Sequence, residues 1–299
     1  MPSFASRQSL GLLLGFIGVA IFGGTLPATR LALTGFDPYF ITASRSAIAG
    51  VCALVLLLIL RRPLPPKHAW VSLVIGTFGV VVGFPLFMAI AMQTLPAAHG
   101  GVVLGVLPIA TAIVAVLITA ERPGVAYWLA AMVGAVLVVT FALRHGGGGI
   151  ASGDLFLLLA VAGAAIGYGY SGRLTAHMPG WEIISWSMVI ALPLTLPATW
   201  WLMPNNLSAV PLEPWLGLFY AALFSQWIGF FAWNAGISIC GISKISQLQL
   251  LQPFVTIGLA ALVNHEAIDL DTILFAAAVV ATVALSARTR VRQATPIQA

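Results

Sequence analysis

Charge is what this sequence has least of. Only 7% of its 299 residues are Asp, Glu, Lys or Arg, 8 acidic against 13 basic, where a soluble domain carries about 25%. So few charges cannot solvate the surface of a globule this size, which excludes a soluble enzyme, a nucleic-acid-binding domain and a disordered chain in one step. Cysteine is scarce too. Cys52 and Cys240 lie singly in or at the end of apolar runs, with no CxxC or CxxH spacing, so they read as packing residues and not as a disulfide or a metal site. Large clusters of positive charge are missing: apart from a short basic tail with Arg288, Arg290 and Arg292, the basic residues stand in ones and twos at the ends of apolar runs. The pI of about 9.7 therefore speaks for membrane orientation and not for nucleic acid. What is plentiful is apolar: 60% of the residues, with a mean hydropathy of +1.04. The fold class read from this is an all-α integral membrane protein whose surface faces the lipid bilayer.

A helix needs about 20 apolar residues to cross the hydrocarbon core. Breaks where proline, glycine and charge coincide, such as Gly35-Phe36-Asp37-Pro38, Arg61-Arg62-Pro63, Glu121-Arg122-Pro123 and Met203-Pro204-Asn205, divide the chain. They predict ten transmembrane helices at 9–32, 38–60, 69–92, 97–119, 124–143, 153–175, 182–203, 214–239, 244–264 and 270–288. Arg7 precedes an apolar run of about 20 residues, longer than a secretory h-region and without a closing A-x-A pattern, so the first span is expected to be retained. With a cytoplasmic N-terminus, ten of the thirteen basic residues fall inside: Arg7, Arg61, Arg62, Lys67, Arg122, Arg173, Lys244, Arg288, Arg290 and Arg292. Arg30 and Arg144 fall outside, and Arg45 lies within span 2. That bias predicts that both termini are cytoplasmic.

The chain also repeats itself. A shift of 145 residues lays Trp70 on Trp215, Pro108 on Pro253 and Glu121 on Glu266. The pattern P-x-x-T-x-x-x-A-x-L-x-x-x-E runs through Pro108, Thr111, Ala115, Leu117 and Glu121, and again through Pro253, Thr256, Ala260, Leu262 and Glu266. Two units follow, 1–145 and 153–299, joined by a glycine-rich linker at 146–152 that holds Gly146 to Gly149. Each has five spans. An odd number makes the second unit enter the membrane from the opposite side, so the expected architecture is an inverted 5+5 repeat around a central cavity. Many secondary transporters are built that way, with substrate bound near the midplane between the repeats.

The segments Leu107-Pro108 to Glu121-Arg122 and Gln252-Pro253 to Glu266 resemble the duplicated signature of the drug/metabolite transporter superfamily, EamA type. Gly23-Gly24 in span 1, Asp37-Pro38 with Arg45 in span 2, and Ala232-Trp233-Asn234 in span 8 add to the likeness. Within the superfamily the chain is most similar to the YddG-type exporters of aromatic amino acids. The resemblance implies ten helices, a cavity lined mainly by spans 1, 3, 4, 6, 8 and 9, and efflux of small metabolites across a bacterial inner membrane. Thr25, Phe84, His99 and Tyr168, which lie in those spans, are candidate cavity residues.

Several motifs dissolve on inspection. Gly167 to Gly172 fits G-x-G-x-x-G, but inside an apolar span it serves helix packing and not a dinucleotide. His265-Glu266 lacks the second histidine of a zinc motif. No cofactor, metal or catalytic constellation is expected. No Asp or Glu stands at a span's centre, which disfavours proton-driven cation export; Glu121 and Glu266 fall at helix ends, and His99 is the one loosely plausible titrating substitute. Arg45 lies about eight residues into span 2, roughly 12 Å deep at 1.5 Å per residue. At that depth it faces inward, toward a structural partner or a substrate carboxylate.

In span 8, helical geometry puts Tyr220, Phe224, Trp227, Phe231, Asn234 and Ser238 on one face, expected to look inward. In span 9, Gln249, Gln252, Pro253 and Thr256 share a face, read either as interhelix glue or as a wet cavity wall. Pro108 and Pro253 would each free a mid-helix carbonyl and make a hinge. An aromatic, amide-bearing, neutral cavity suits a small zwitterion. The expected function is export of aromatic or other neutral amino acids by alternating access. The alternatives are a broad metabolite or toxic-compound exporter, a membrane enzyme and a scaffold. The sequence leaves the oligomeric state open, with a monomer sufficient.

Overall fold

Proline and glycine decide where the apolar runs of this chain stop being regular helix. The structure, a computed structural model, describes residues 4–118, 122–145, 151–175, 177–240, 245, 247–287 and 291–292. The linker glycines Gly146 to Gly149 and Glu121 lie outside those residues.

The first apolar run is split at Gly24 into α1 (Phe4–Gly23) and α2 (Thr25–Ala32). Asp37 then caps α3 (Pro38–Ile59) by accepting the Tyr39 N–H at 2.8 Å, with Pro38 preset for the first turn. The third run comprises α4 (Trp70–Gly76), a π-helical stretch over Thr77–Gly83, and α5 (Phe84–Ala91). The fourth breaks at Gly105-Val106 between α6 (Ala97–Leu104) and α7 (Leu107–Ile118). Next come α8 (Val125–His145), α9 (Ser152–Leu174) and α10 (Gly180–Trp201). The eighth run is α11 (Leu212–Phe219), a second π-helical stretch over Tyr220–Ile228, and α12 (Gly229–Cys240). A 3-10 turn at Gln247–Leu251 leads into α13 (Gln252–Val263), and α14 (Leu270–Ala287) follows. Apart from a two-residue antiparallel pairing of Arg122–Pro123 with Val291–Arg292, the described residues form only helices and turns.

Seven of the described segments are long and apolar enough to cross a bilayer: Gln8–Ala32, Pro38–Ile59, Lys67–Ala91, Ala97–Ile118, Ser152–Leu174, Gly180–Trp201 and Leu212–Cys240. The expected spans 124–143, 244–264 and 270–288 coincide with shorter apolar helices at Met132–Phe141, Gln252–Val263 and Leu270–Thr282.

The helices pack in a regular set of pairs. The first run lies on the eighth, the second on the seventh, the third on the sixth, the fourth on the ninth and the fifth on the tenth. Small residues let the backbones close up, as the glycine spacing predicts. Gly236 sits against the backbone of Gly11 and Gly15, and Gly79 against Gly163 and Gly167. The second π-helical stretch contains the positions that lie 145 residues beyond the first.

Two expectations change. Pro108 and Pro253 are not mid-helical: each is the second residue of a helix, α7 and α13, that starts after a break or a 3-10 turn. A proline is well accommodated there, because the preceding break has already interrupted the helix and φ is preset for the first turn. The irregular backbone is the break before each proline, at Gly105-Val106 and at Gln247–Leu251. The inward face of span 8 also moves. Phe224 is exposed, whereas Ala221, Ala222, Ser225, Gln226, Gly229, Phe230 and Trp233 are buried beside Asn234 of the expected face. The wider turns of the π-helix change the angle per residue, so a face drawn at a constant helical angle slides off the true one.

Candidate functional site

Two prolines inside apolar runs set up the polar centre. Pro27 has no N–H to give Gly23, so the Gly23 carbonyl would be orphaned in a place without water. Thr256 of α13 donates its hydroxyl to that oxygen at 2.9 Å. Beside it, Tyr220 donates to the Ile21 carbonyl at 2.9 Å, and Asn264 to the Pro27 carbonyl at 3.1 Å. Pro85 does the same to Val81, whose carbonyl accepts from the Ser46 hydroxyl at 3.0 Å and from Gln226 Nε2 at 3.3 Å. Gln226 Nε2 also donates to Ser46 Oγ at 2.8 Å.

Arg45 lies next to Ser46, with 2% of its surface exposed. Its Nη2 donates to the Ala221 carbonyl at 3.0 Å and reaches Ser225 Oγ at 3.5 Å. Ser225 Oγ is 2.6 Å from Thr25 Oγ1. Nε and Nη1 of Arg45 have no hydrogen-bond partner, and neither does Gln226 Oε1. Among the described residues no carboxylate pairs with Arg45. A buried guanidinium with donors to spare and no counter-charge is costly, and such groups mark functional sites in membrane proteins.

The other expected wall residues take varied places. Trp227 is half-buried, donates Nε1 to Ser185 Oγ at 3.0 Å and meets the Phe231 ring at 5.3 Å. Tyr168 packs edge-on to Phe230 at 6.0 Å. Phe84 is half-buried against the core that α9 shares. Asn234 binds the Gly180 carbonyl at 2.9 Å, which joins α12 to the start of α10. His99 lies away from the Arg45 cluster in sequence and contacts: its Nε2 is 2.7 Å from Asp154 Oδ1, and its ring rests on Phe141. Gln249 is buried with Nε2 unpartnered, and Gln252 is half-buried at the head of α13. Thus Thr25 and Arg45 come together, while Asn234 and His99 hold helices to one another.

Sequence reasoning missed Ser46, Ser225 and Gln226. The prolines signal only that a donor is needed, since each deprives the carbonyl four residues earlier; which residue supplies it is set by the packing of another helix.

At the Arg62 end of the bundle a cavity of about 500 Å³ opens between the α9–α10 turn and α12, walled by Met178, Pro179, Trp181, Phe231, Ala235 and Ser238. Phe231 links its Trp181 wall, 6.2 Å away, to Trp227. Arg62 lies 5.1 Å over the Trp181 ring and 3.3 Å from Glu182. Among the described residues no group of three or more His, Cys, Asp or Glu side chains could hold a metal ion.

Comparison with known proteins finds the model of the EamA-like transporter family matched twice, at residues 9–143 and 151–288. An uncharacterized transporter of Bacillus subtilis, YdeK, is 44% identical over 95% of this chain and 99% of its own. A second from that organism, YyaM, is 26% identical over 83% of this chain and 85% of its own. A solved crystal structure with 23% identity aligns over 93% of this chain and 98% of its own with a TM-score of 0.66, a likeness of fold.

Proposed function

This chain belongs to the EamA-like transporter family, and from that premise we propose that it exports small neutral amino acids, aromatic ones foremost, by alternating access across a bacterial inner membrane. The multi-pass membrane fold and the transporter relatives point to a carrier and not to an enzyme. The ten-span inverted repeat is supported by the doubled family match, by the 145-residue offset of the two π-helical stretches and by the helix pairing. Exchanging the halves turns the first–eighth pair into the sixth–third pair and returns the other three pairs to themselves.

The observation that carries the substrate reading is the Arg45 cluster. A guanidinium with two unfilled donors, beside Thr25 and Ser225, offers a carboxylate what it needs. Trp227, Phe231 and Tyr168 supply apolar and stacking surface for an uncharged side chain, with Phe84, Gln249 and Gln252 as further wall residues. A lone guanidinium such as that of Arg45 suits a single carboxylate and not a phosphoester. The Trp181–Phe231–Trp227 series gives the substrate a route from the Arg62 end, which the positive-inside bias makes cytoplasmic. Among the described residues the buried acids are engaged elsewhere, Asp154 on His99 and Glu182 on Arg62, and the half-buried Glu266 is on Arg30. That supports a carrier of zwitterions over a proton-driven cation pump.

The test is flux of radiolabelled amino acids in proteoliposomes, with and without a proton gradient. Tryptophan and phenylalanine should move, and Trp227→Ala should weaken their apparent affinity several-fold while sparing alanine, since a ring contact contributes about 0.5–1.5 kcal/mol beyond burial. No flux for any neutral amino acid would remove the substrate reading. Equal losses for aromatic and aliphatic substrates would remove Trp227 from the cavity.

A further inference from the structure

We infer that Glu266 is a latch that holds the Arg30 end of the molecule shut, and that the path opens there only when its carboxylate releases the start of α6. This goes beyond the substrate reading and rests on its alternating-access half. Glu266 stands in the turn between α13 and α14, after His265, whose φ of 53° bends the chain sharply back. Its side chain is 11% exposed. Oε1 accepts the Ala97 N–H at 2.8 Å and Oε2 accepts the Ala98 N–H at 3.0 Å. Those are first-turn donors of α6, and the residue ahead of them, Pro96, supplies no side-chain cap. A carboxylate from the second unit therefore does the capping that the first unit lacks, with the helix dipole in its favour.

Arg30 completes the closure. Its Nε is 3.3 Å from Glu266 Oε1, and its Nη1 donates to the carbonyls of Met92, at 3.2 Å, and Leu95. One side chain thus ties the end of α2 and the turn before α6 to the Glu266 turn. A residue further along α6, His99 meets Asp154 of α9, a second contact from the second unit onto the same helix. Directly beneath, Leu26, Ala91, Val102 and Phe141 are fully or almost fully buried, so this end is sealed. The cavity of about 500 Å³ lies at the opposite end. The closure is made of charge-assisted bonds at the rim, where water can replace them when they part. It is therefore strong enough to bias two states and weak enough to release.

The experiment needs no substrate and no assumption about orientation. In a Cys52→Ala, Cys240→Ala background reconstituted in nanodiscs, a Val102→Cys reporter beneath the latch is labelled with a maleimide and the rate is measured. Glu266→Gln should raise that rate about tenfold, the population shift that loss of a charged hydrogen bond produces. Arg30→Gln should raise it too, and Glu266→Asp, which keeps the charge, should restore most of the protection. A Leu57→Cys reporter, buried at the other end, should stay protected throughout. Unchanged Val102→Cys labelling in both Glu266→Gln and Arg30→Gln overturns the latch, and so does equal loss of protection at the two reporters, which means general loosening. Absence of amino-acid flux in the unmodified protein would count against the substrate reading and leave the labelling result standing.

Discussion

Thr256 has 0% of its surface exposed, and its hydroxyl fills the one bond that Pro27 denies Gly23. Its worth can be isolated because valine has nearly the same shape without the donor. Thr256→Val should cost about 1–3 kcal/mol, the penalty for leaving a buried acceptor unmet, and lower the thermal midpoint of the purified protein in detergent. Thr256→Ser should stay close to the unmodified protein. Equal midpoints for the valine and serine variants would show that the carbonyl finds another partner. At this scale the sequence is half legible. Arg45 is readable as an inward-facing charge because its depth in an apolar run forces it inward. Ser46, Ser225 and Gln226 are not, because small polar residues are common in such runs and their meaning depends on a carbonyl in another helix. Asn234 and His99 look alike in sequence to cavity residues, and each is used instead to join helices.

Among the elements, the π-helical stretches separate what periodicity can tell from what it cannot. Helix existence follows from apolar length, and starts such as Pro38 and Ala97 fall where the sequence puts them, since Asp37-Pro38 and Pro96 punctuate the chain whatever surrounds them. A wide turn leaves no such mark. It is settled by packing, where Ala221, Ala222 and Gly229 let the eighth run approach its neighbours, and it turns the following residues away from the face that a regular helix would give. Ala222 is fully buried whereas Phe224 is 47% exposed. Ala222→Leu should therefore overpack a fully buried site and cost about 1–3 kcal/mol, seen as a lower midpoint and a poorer monodisperse yield. Phe224→Leu should change neither by a measurable amount. The reverse order of effects would restore the face drawn from a constant helical angle.

For the whole molecule, orientation rests on where thirteen basic residues fall, and accessibility in cells can check it. Single cysteines in the Gly146–Gly149 linker and in the Asn205–Leu212 loop should react with an impermeant reagent from outside, whereas Lys67→Cys and Lys244→Cys should not. The opposite pattern would invert the molecule in its membrane and reverse the direction of transport with it. The repeat is legible at this scale because rare residues, Trp, Pro and Glu, recur at one offset. The interlocking of the halves is not, because the sequence carries no trace of which carbonyl in one unit waits for which donor in the other.

That interlocking has a consequence for how the protein is made. The Gly23 carbonyl and the Thr256 hydroxyl are 233 residues apart, and at about 5–20 residues per second a ribosome needs roughly 10–50 s to cover that distance. Through that interval the newly inserted first span holds an unmet backbone oxygen at membrane depth, a defect of several kcal/mol in lipid. The nascent first half is thus a client for the insertion machinery and for membrane proteases until α13 arrives. Damage to α13 should register first as accelerated turnover of an unfinished protein.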